Sequence, residues 1–253
     1  MSIVHFVGAG PGAVDLITLR GKTLLEAADV VLYAGSLVNP DLLCFTKPGC
    51  AVYNSAKMTL DEVIDVMQAA STESKTIVRL HTGDPSIYGA IREQMDRLTA
   101  LGIAFEVCPG VSSFCGAAAA LKAEYTLPAV SQTVILTRAA GRTPVPDKQD
   151  IRALAAHGAT MVLFLSAGLL AGVTNDLIAG GYTPDTPAAI VYKATWPDEK
   201  VVRCTVGMLA ESAAASGIGK TALVCVGRFL GNDYVLSKLY APDFTTGFRE
   251  AKV

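Results

Sequence analysis

The stretch Ile3-Val-His-Phe-Val-Gly-Ala-Gly-Pro-Gly-Ala13 decides the fold class: a β-branched and aromatic run breaks into a glycine loop, and a helical pattern over residues 16–28 follows. Strand, glycine turn and helix in that order open a parallel sheet, because a helical crossover is what returns the chain to start a neighbouring parallel strand. Outward from this unit the alternation continues. Residues 30–33 and 76–81 are further β-branched runs, and residues 60–70 between them carry helical periodicity. Thr59-Leu-Asp-Glu62 fits a capping box at the start of that helix, with the Thr59 hydroxyl accepting from the third helical amide while Glu62 reaches back. Residues 86–101 place Ile87, Ile91, Met95 and Leu98 at helical spacing. A strand over 103–107, a turn at Pro109-Gly110 and an alanine-rich helix over 113–121 complete the first half.

The polar stretch 122–126, ending at Pro128, is the candidate boundary. Beyond it come strand patterns at 133–137, 161–165, 188–192, 201–206 and 222–226. The short connection before residues 200–206 predicts an antiparallel neighbour for 188–192, and hence a mixed sheet. The expected architecture is α/β in two domains: residues 1–121 with a mostly parallel sheet, residues 122–242 with a mixed one, and a tail at 243–253.

With 253 residues, about half of them hydrophobic (51%), the chain can bury a substantial core without staples. A formal net charge of -2 gives no basic field for nucleic acid. Met1-Ser-Ile-Val-His-Phe-Val7 has no basic leader and reads as a first strand, which predicts a cytoplasmic protein. Residues 153–175 lack acids and bases but contain His157, Gly158, Ser166, Gly168 and Gly172, so they read as a helix end, a buried strand and a loop, not as a membrane span. The six cysteines form no CxxC pair and the three histidines are scattered, which argues against a zinc site and predicts that most of the thiols are buried and apolar.

Three loops carry the chemistry. Gly8-Ala-Gly-Pro-Gly12 follows the first strand, and Gly8, Gly10 and Ala13 satisfy a dinucleotide fingerprint. Against that reading, Pro11 removes an amide from the supposed phosphate cradle, and the second strand ends in Tyr33-Ala-Gly-Ser36 with no acid for a ribose, Asp29 lying before it. The second loop, Val78-Arg-Leu-His-Thr-Gly-Asp-Pro-Ser-Ile-Tyr-Gly89, puts a Gly-Asp-Pro turn at the carboxyl end of a strand, where ligands of open α/β sheets bind. Asp84 could cap the next helix or face a cationic ligand, and His81 by itself reads as a buried, satisfied histidine. The third, Val107-Cys-Pro-Gly-Val-Ser-Ser113, also follows a strand. Together they describe a small-molecule pocket in the first half and no particular ligand.

In this order and spacing the three loops resemble the tetrapyrrole methyltransferases, from Val7-Gly-Ala-Gly-Pro-Gly12 and Leu19-Arg-Gly21 through Gly83-Asp-Pro85 and Pro109-Gly-Val-Ser112 to Thr221-Ala-Leu223. Tyr33-Ala-Gly-Ser-Leu-Val38, Leu80-His-Thr-Gly-Asp-Pro-Ser-Ile-Tyr-Gly-Ala90 and Thr137-Arg-Ala-Ala-Gly-Arg-Thr-Pro144 are similar to the branch acting at C11 of precorrin-4. The resemblance implies S-adenosyl-L-methionine as methyl donor in a cleft between two α/β domains, an anionic tetrapyrrole acceptor and a homodimer, with no membrane or nucleic-acid partner and no metal held by the protein. It places cofactor contacts on Pro11, Gly83, Asp84, Ile87, Ser112, Ser113, Ser166, Ala194 and Ala222. Gly10, His81, Tyr88, Arg138 and Arg142 fall on the acceptor side, the two arginines because carboxylates favour a guanidinium fork. No catalytic acid or base is identified. The alternatives are methylation at another ring position and, more remotely, a dinucleotide-dependent oxidoreductase.

Overall fold

The computed structural model describes residues 2–252, which divide into two compact units. The first runs to Ala117 and takes in the later segment Lys193–Glu199; the second comprises Ala118–Tyr192 and the chain from Lys200 onward. The division falls four residues before the linear boundary at 121, inside a helix, and a heptapeptide from the second half packs with the first unit.

The first unit contains β1 (Ile3–Gly8), α1 (Leu19–Ala27), β2 (Val30–Tyr33), β3 (Ala51–Asn54), α2 (Leu60–Thr72), β4 (Ile77–His81), α3 (Ile91–Ala100), β5 (Ala104–Cys108) and the start of α4 (Ser113–Leu121). Its five strands pair in the order β3-β2-β4-β1-β5, all parallel. Every residue of β4 is buried, as a parallel strand covered on both faces requires. On one face Val7, Val31, Val78 and Leu80 meet Leu25 of α1 and Leu42; on the other Phe6, Leu32 and Ile77 meet Ile64 and Met67 of α2 and Leu98 of α3. Asp29 stands at the amino-terminal end of β2, pairing with Lys47 at 2.6 Å and accepting from the Thr76 amide at 2.8 Å. It fastens the end of the sheet opposite to the loops.

The second unit holds β6 (Val134–Arg138), α5 (Ile151–Ala155), β7 (Thr160–Phe164), α6 (Leu170–Ala179), β8 (Pro187–Tyr192), β9 (Lys200–Thr205), α7 (Leu209–Ala215) and β10 (Ala222–Val226). The order is β6-β7-β10-β8-β9, with β6 and β7 parallel and the other pairs antiparallel. The antiparallel β8–β9 pair and the mixed sheet match the sequence reading. Met161, Leu163, Ile190 and Val224 form a core with Ile151 of α5, Val173 and Leu177 of α6 and Leu209 of α7.

Several expectations are corrected. The helix expected from residue 86 begins only at Ile91, because Tyr88 and Ala90 have φ of 55° and 49° and so interrupt any helix there. The edge strand β3 was not foreseen, being four residues long with three of them exposed. The loop expected after the buried strand at 160–164 turns into α6 at Leu170. Of the six cysteines, all free thiols, only Cys108 and Cys225 are buried; Cys44 and Cys115 are exposed. Among the described residues no helix is long and apolar enough to cross a membrane, and no cluster of three or more metal-ligating side chains occurs.

Candidate active site

The carboxyl ends of β1, β4 and β5 are drawn together by glycine backbone. A Cβ on Gly8 would stand 2.5 Å from the Gly110 Cα and 2.7 Å from the Gly83 carbonyl oxygen, so the three loops touch only because none of these positions carries a side chain. Gly10 and Gly83 bond in both directions, at 3.2 and 2.8 Å, and the Ala9 amide donates to the His81 carbonyl at 2.7 Å. Asp84 ties the second loop to the third: one carboxylate oxygen accepts from the Gly110 amide at 2.9 Å, the other from the Ser86 amide at 2.8 Å and from the Ser86 hydroxyl. Burial pushes the Asp84 carboxyl up, but these hydrogen bonds outweigh it and hold the group below its ordinary value. Asp84 therefore binds its own loops and caps no helix. Ile87 and Ser113 are half-buried and Ser112 is buried beside them.

The glycine loop is braced by the segment Lys193–Glu199. Trp196 donates its indole N–H to the Pro11 carbonyl at 3.2 Å, Thr195 accepts from the Ala13 amide at 3.0 Å, and Asn39 donates to the Gly12 carbonyl at 2.9 Å. The indole lies against Gly12, where any Cβ would collide with it. Lys193 and Thr195 have φ of 46° and 69°; the Glu199 carboxylate accepts from the Thr195 amide at 2.6 Å, and Lys193 pairs with Asp198 at 2.6 Å. Ala194, between the two strained residues, is buried. Amides at 9, 10 and 13 thus have partners within the protein, and α1 starts only at Leu19. A phosphate cradle needs free amides at a helix start, so this loop is not one.

A model of the tetrapyrrole (corrin/porphyrin) methylases matches residues 3–210. The chain belongs to that family. It is 53% identical over 249 residues to the cobalt-precorrin-4 C(11)-methyltransferase of Methanocaldococcus jannaschii, covering 98% of this chain and 96% of the relative. Among solved structures it is similar to the cobalamin biosynthetic enzyme cobalt precorrin-4 methyltransferase, CbiF, with a TM-score of 0.88 and 50% identity over 90% of this chain and 96% of the other. The uroporphyrin-III C-methyltransferase of Thermus thermophilus complexed with S-adenyl homocysteine gives a TM-score of 0.75 at 27% identity, covering 90% and 93%.

For this tetrapyrrole methylase the structure sorts the expected site residues. Gly10, Pro11, His81, Gly83, Asp84, Ile87, Tyr88, Ser112, Ser113 and Ala194 all fall in the first unit. Ser166, Ala222, Arg138 and Arg142 fall in the second. Ser166 has no exposed surface, and its hydroxyl donates to the Phe164 carbonyl at 2.7 Å and accepts from the Ala139 amide at 2.8 Å. Its role is to pin the end of β6 to the end of β7, and it has no surface left for a ligand. Ala222 opens β10 and is buried. The Arg138 guanidinium folds back onto the carbonyls of Ala139, Thr143 and Pro144 at 3.3, 3.2 and 2.8 Å, stapling its own loop, whereas Arg142 is exposed and takes part in no ion pair among the described residues.

Two features around these loops escaped the sequence reading. The Trp196 brace could not be found from spacing, because 184 residues separate Pro11 from it in the chain. Arg79 carries a visible signal, a lone cation inside the buried run Ile77-Val-Arg-Leu-His81. It and His81 share one face of β4 and line a cavity of about 260 Å³ together with Thr82, Tyr88, Glu93 and Gln94. His81 is not the satisfied histidine expected: it is buried, and its Nε2 has no partner. Burial, with the nearby Arg79 charge, lowers its pKa to about 3, so the ring is neutral.

Proposed function

We propose that the chain transfers the methyl group of S-adenosyl-L-methionine to C11 of precorrin-4, or of its cobalt form, in cobalamin biosynthesis. The observation that carries this reading is the near-full-length similarity, at about half identity, to a C11-methyltransferase across the very loops that form the glycine junction. The junction fits such a cofactor. At Gly83, φ is +61° and an added Cβ would press on the backbone of Ser112 and Ser113, so the glycine lets the second loop lie against the third and brings the proposed contacts Gly83, Ser112 and Ser113 together. Pro11, Gly83, Asp84, Ile87, Ser112, Ser113 and Ala194 are the proposed cofactor contacts in this unit; Gly10, His81 and Tyr88 face the acceptor.

S-adenosyl-L-methionine supplies, when bound, a methyl group already activated by its sulfonium. The protein's part is alignment, which can be worth many orders of magnitude in effective molarity. Asp84 holds the second and third loops in register, and the Trp196 brace holds the glycine loop against Ala194. No side chain is assigned as the base that takes the ring proton. We further propose a cytoplasmic homodimer, to be checked by sedimentation velocity. Incubating the protein with S-adenosyl-L-methionine and precorrin-4, then analysing the product by mass and NMR, tests the reading. One new methyl at C11 is the expected result; methylation at another carbon would move the chain to a different branch, and NADH binding without affinity for S-adenosyl-L-methionine would overturn it.

A further inference from the structure

Arg79 is 6% exposed, and its guanidinium has no carboxylate within 4.0 Å among the described residues. Its Nε donates to Gln94 Oε1 at 3.0 Å and one terminal nitrogen reaches the Leu32 carbonyl at 3.4 Å, both neutral acceptors. A buried cation without a counter-ion is costly, and burial pulls its pKa down to about 10, which still leaves it charged at neutral pH. The same cavity is lined by His81, whose Nε2 is buried and has no hydrogen-bond partner. It also receives the start of α3, where no side chain caps the helix and Ala90 stands at φ 49°. A guanidinium, a neutral imidazole that can present an N–H, and a helix amino terminus all favour one kind of guest, an anion.

We propose that Arg79, His81 and the first turn of α3 form a carboxylate pocket that takes one acetate or propionate arm of the acceptor. The assignment rests on the tetrapyrrole reading above. It puts the counter-ion of Arg79 on the substrate, whereas Arg138 is occupied by its own loop. Exposed Tyr88 and Glu93 also line the cavity, and Glu93 is the one carboxylate among its lining residues.

Two measurements test it. In methyl-transfer assays with precorrin-4, Arg79→Met is expected to raise the acceptor KM about tenfold or more while leaving the affinity for S-adenosyl-L-methionine unchanged and the unfolding temperature no lower, since an apolar isostere relieves an unpaired buried charge. His81→Phe, which removes Nε2 without touching the charge, should raise the acceptor KM about threefold. An unchanged acceptor KM, or a loss of stability together with loss of both affinities, would mean that Arg79 is merely structural. Independently of turnover, propionate should protect the wild-type protein against thermal unfolding and fail to protect Arg79→Met. Protection by inorganic phosphate alone, or by neither anion, overturns the carboxylate assignment. A wild-type protein that does not methylate precorrin-4 but is protected by propionate would overturn the functional reading and leave the pocket standing.

Discussion

The contact between Gly12 and Trp196 shows how one residue type is dictated by a partner far along the chain. The indole lies where a Cβ would be, so Gly12→Ala forces an overpacked junction that costs about 1–3 kcal/mol. Trp196→Ala removes the obstruction, and thermal unfolding of the two single variants and the double variant should show strong coupling; an equal cost of Gly12→Ala in both backgrounds would exclude the indole as the cause. Asp84 makes a pH prediction. Its folded-state pKa is depressed below 3.8, so its contribution to stability is fully present above that value and is lost as pH falls through the lowered one. Asp84→Asn should therefore lower stability at neutral pH, where the carboxylate's contribution is fully present, and flatten the acid limb below pH 3.8, the gap to wild type in chemical unfolding closing as pH falls. Glycines and an acid in these loops could be read from sequence; which backbone atoms they serve could not, because the partners lie on other strands.

At the scale of single elements, local signals were followed where they were self-contained. The capping box at Thr59 forms as its four residues require: the Glu62 amide donates to the Thr59 hydroxyl at 3.3 Å and Glu62 accepts from the Thr59 amide at 2.7 Å. Thr59→Ala should lower the unfolding midpoint by about 2–4 °C, measurable by circular dichroism. The start of α3 shows the opposite case. Ile87, Ile91, Met95 and Leu98 keep helical spacing, yet Asp84 closes a turn with Ser86 and the chain crosses into left-handed conformations at Tyr88 and Ala90 before the helix begins. Such strained positions persist where surrounding structure holds them, commonly beside functional sites, and here they line the Arg79 cavity.

On the scale of the whole molecule, each unit owns a five-stranded sheet and a core built from its own residues. Leu163→Ala, which empties a fully buried site of the second core, should cost about 2–5 kcal/mol. Hydrogen exchange should then quicken in β7, β8 and β10 and not in β1 or β4; equal acceleration in both sheets would refute separate cores. The sequence by itself determined the alternation of strand and helix, the parallel first sheet and mixed second sheet, and the family to which its loops point, because hydrophobic period, turn residues and caps act over a few residues. Tertiary structure alone decided that the heptapeptide at 193–199 packs with the first unit, that Trp196 braces the glycine loop, that Ser166 and Arg138 are occupied internally, and that Arg79 faces a cavity with no counter-ion. Each of these depends on which distant atoms share a buried space, and no local pattern encodes that.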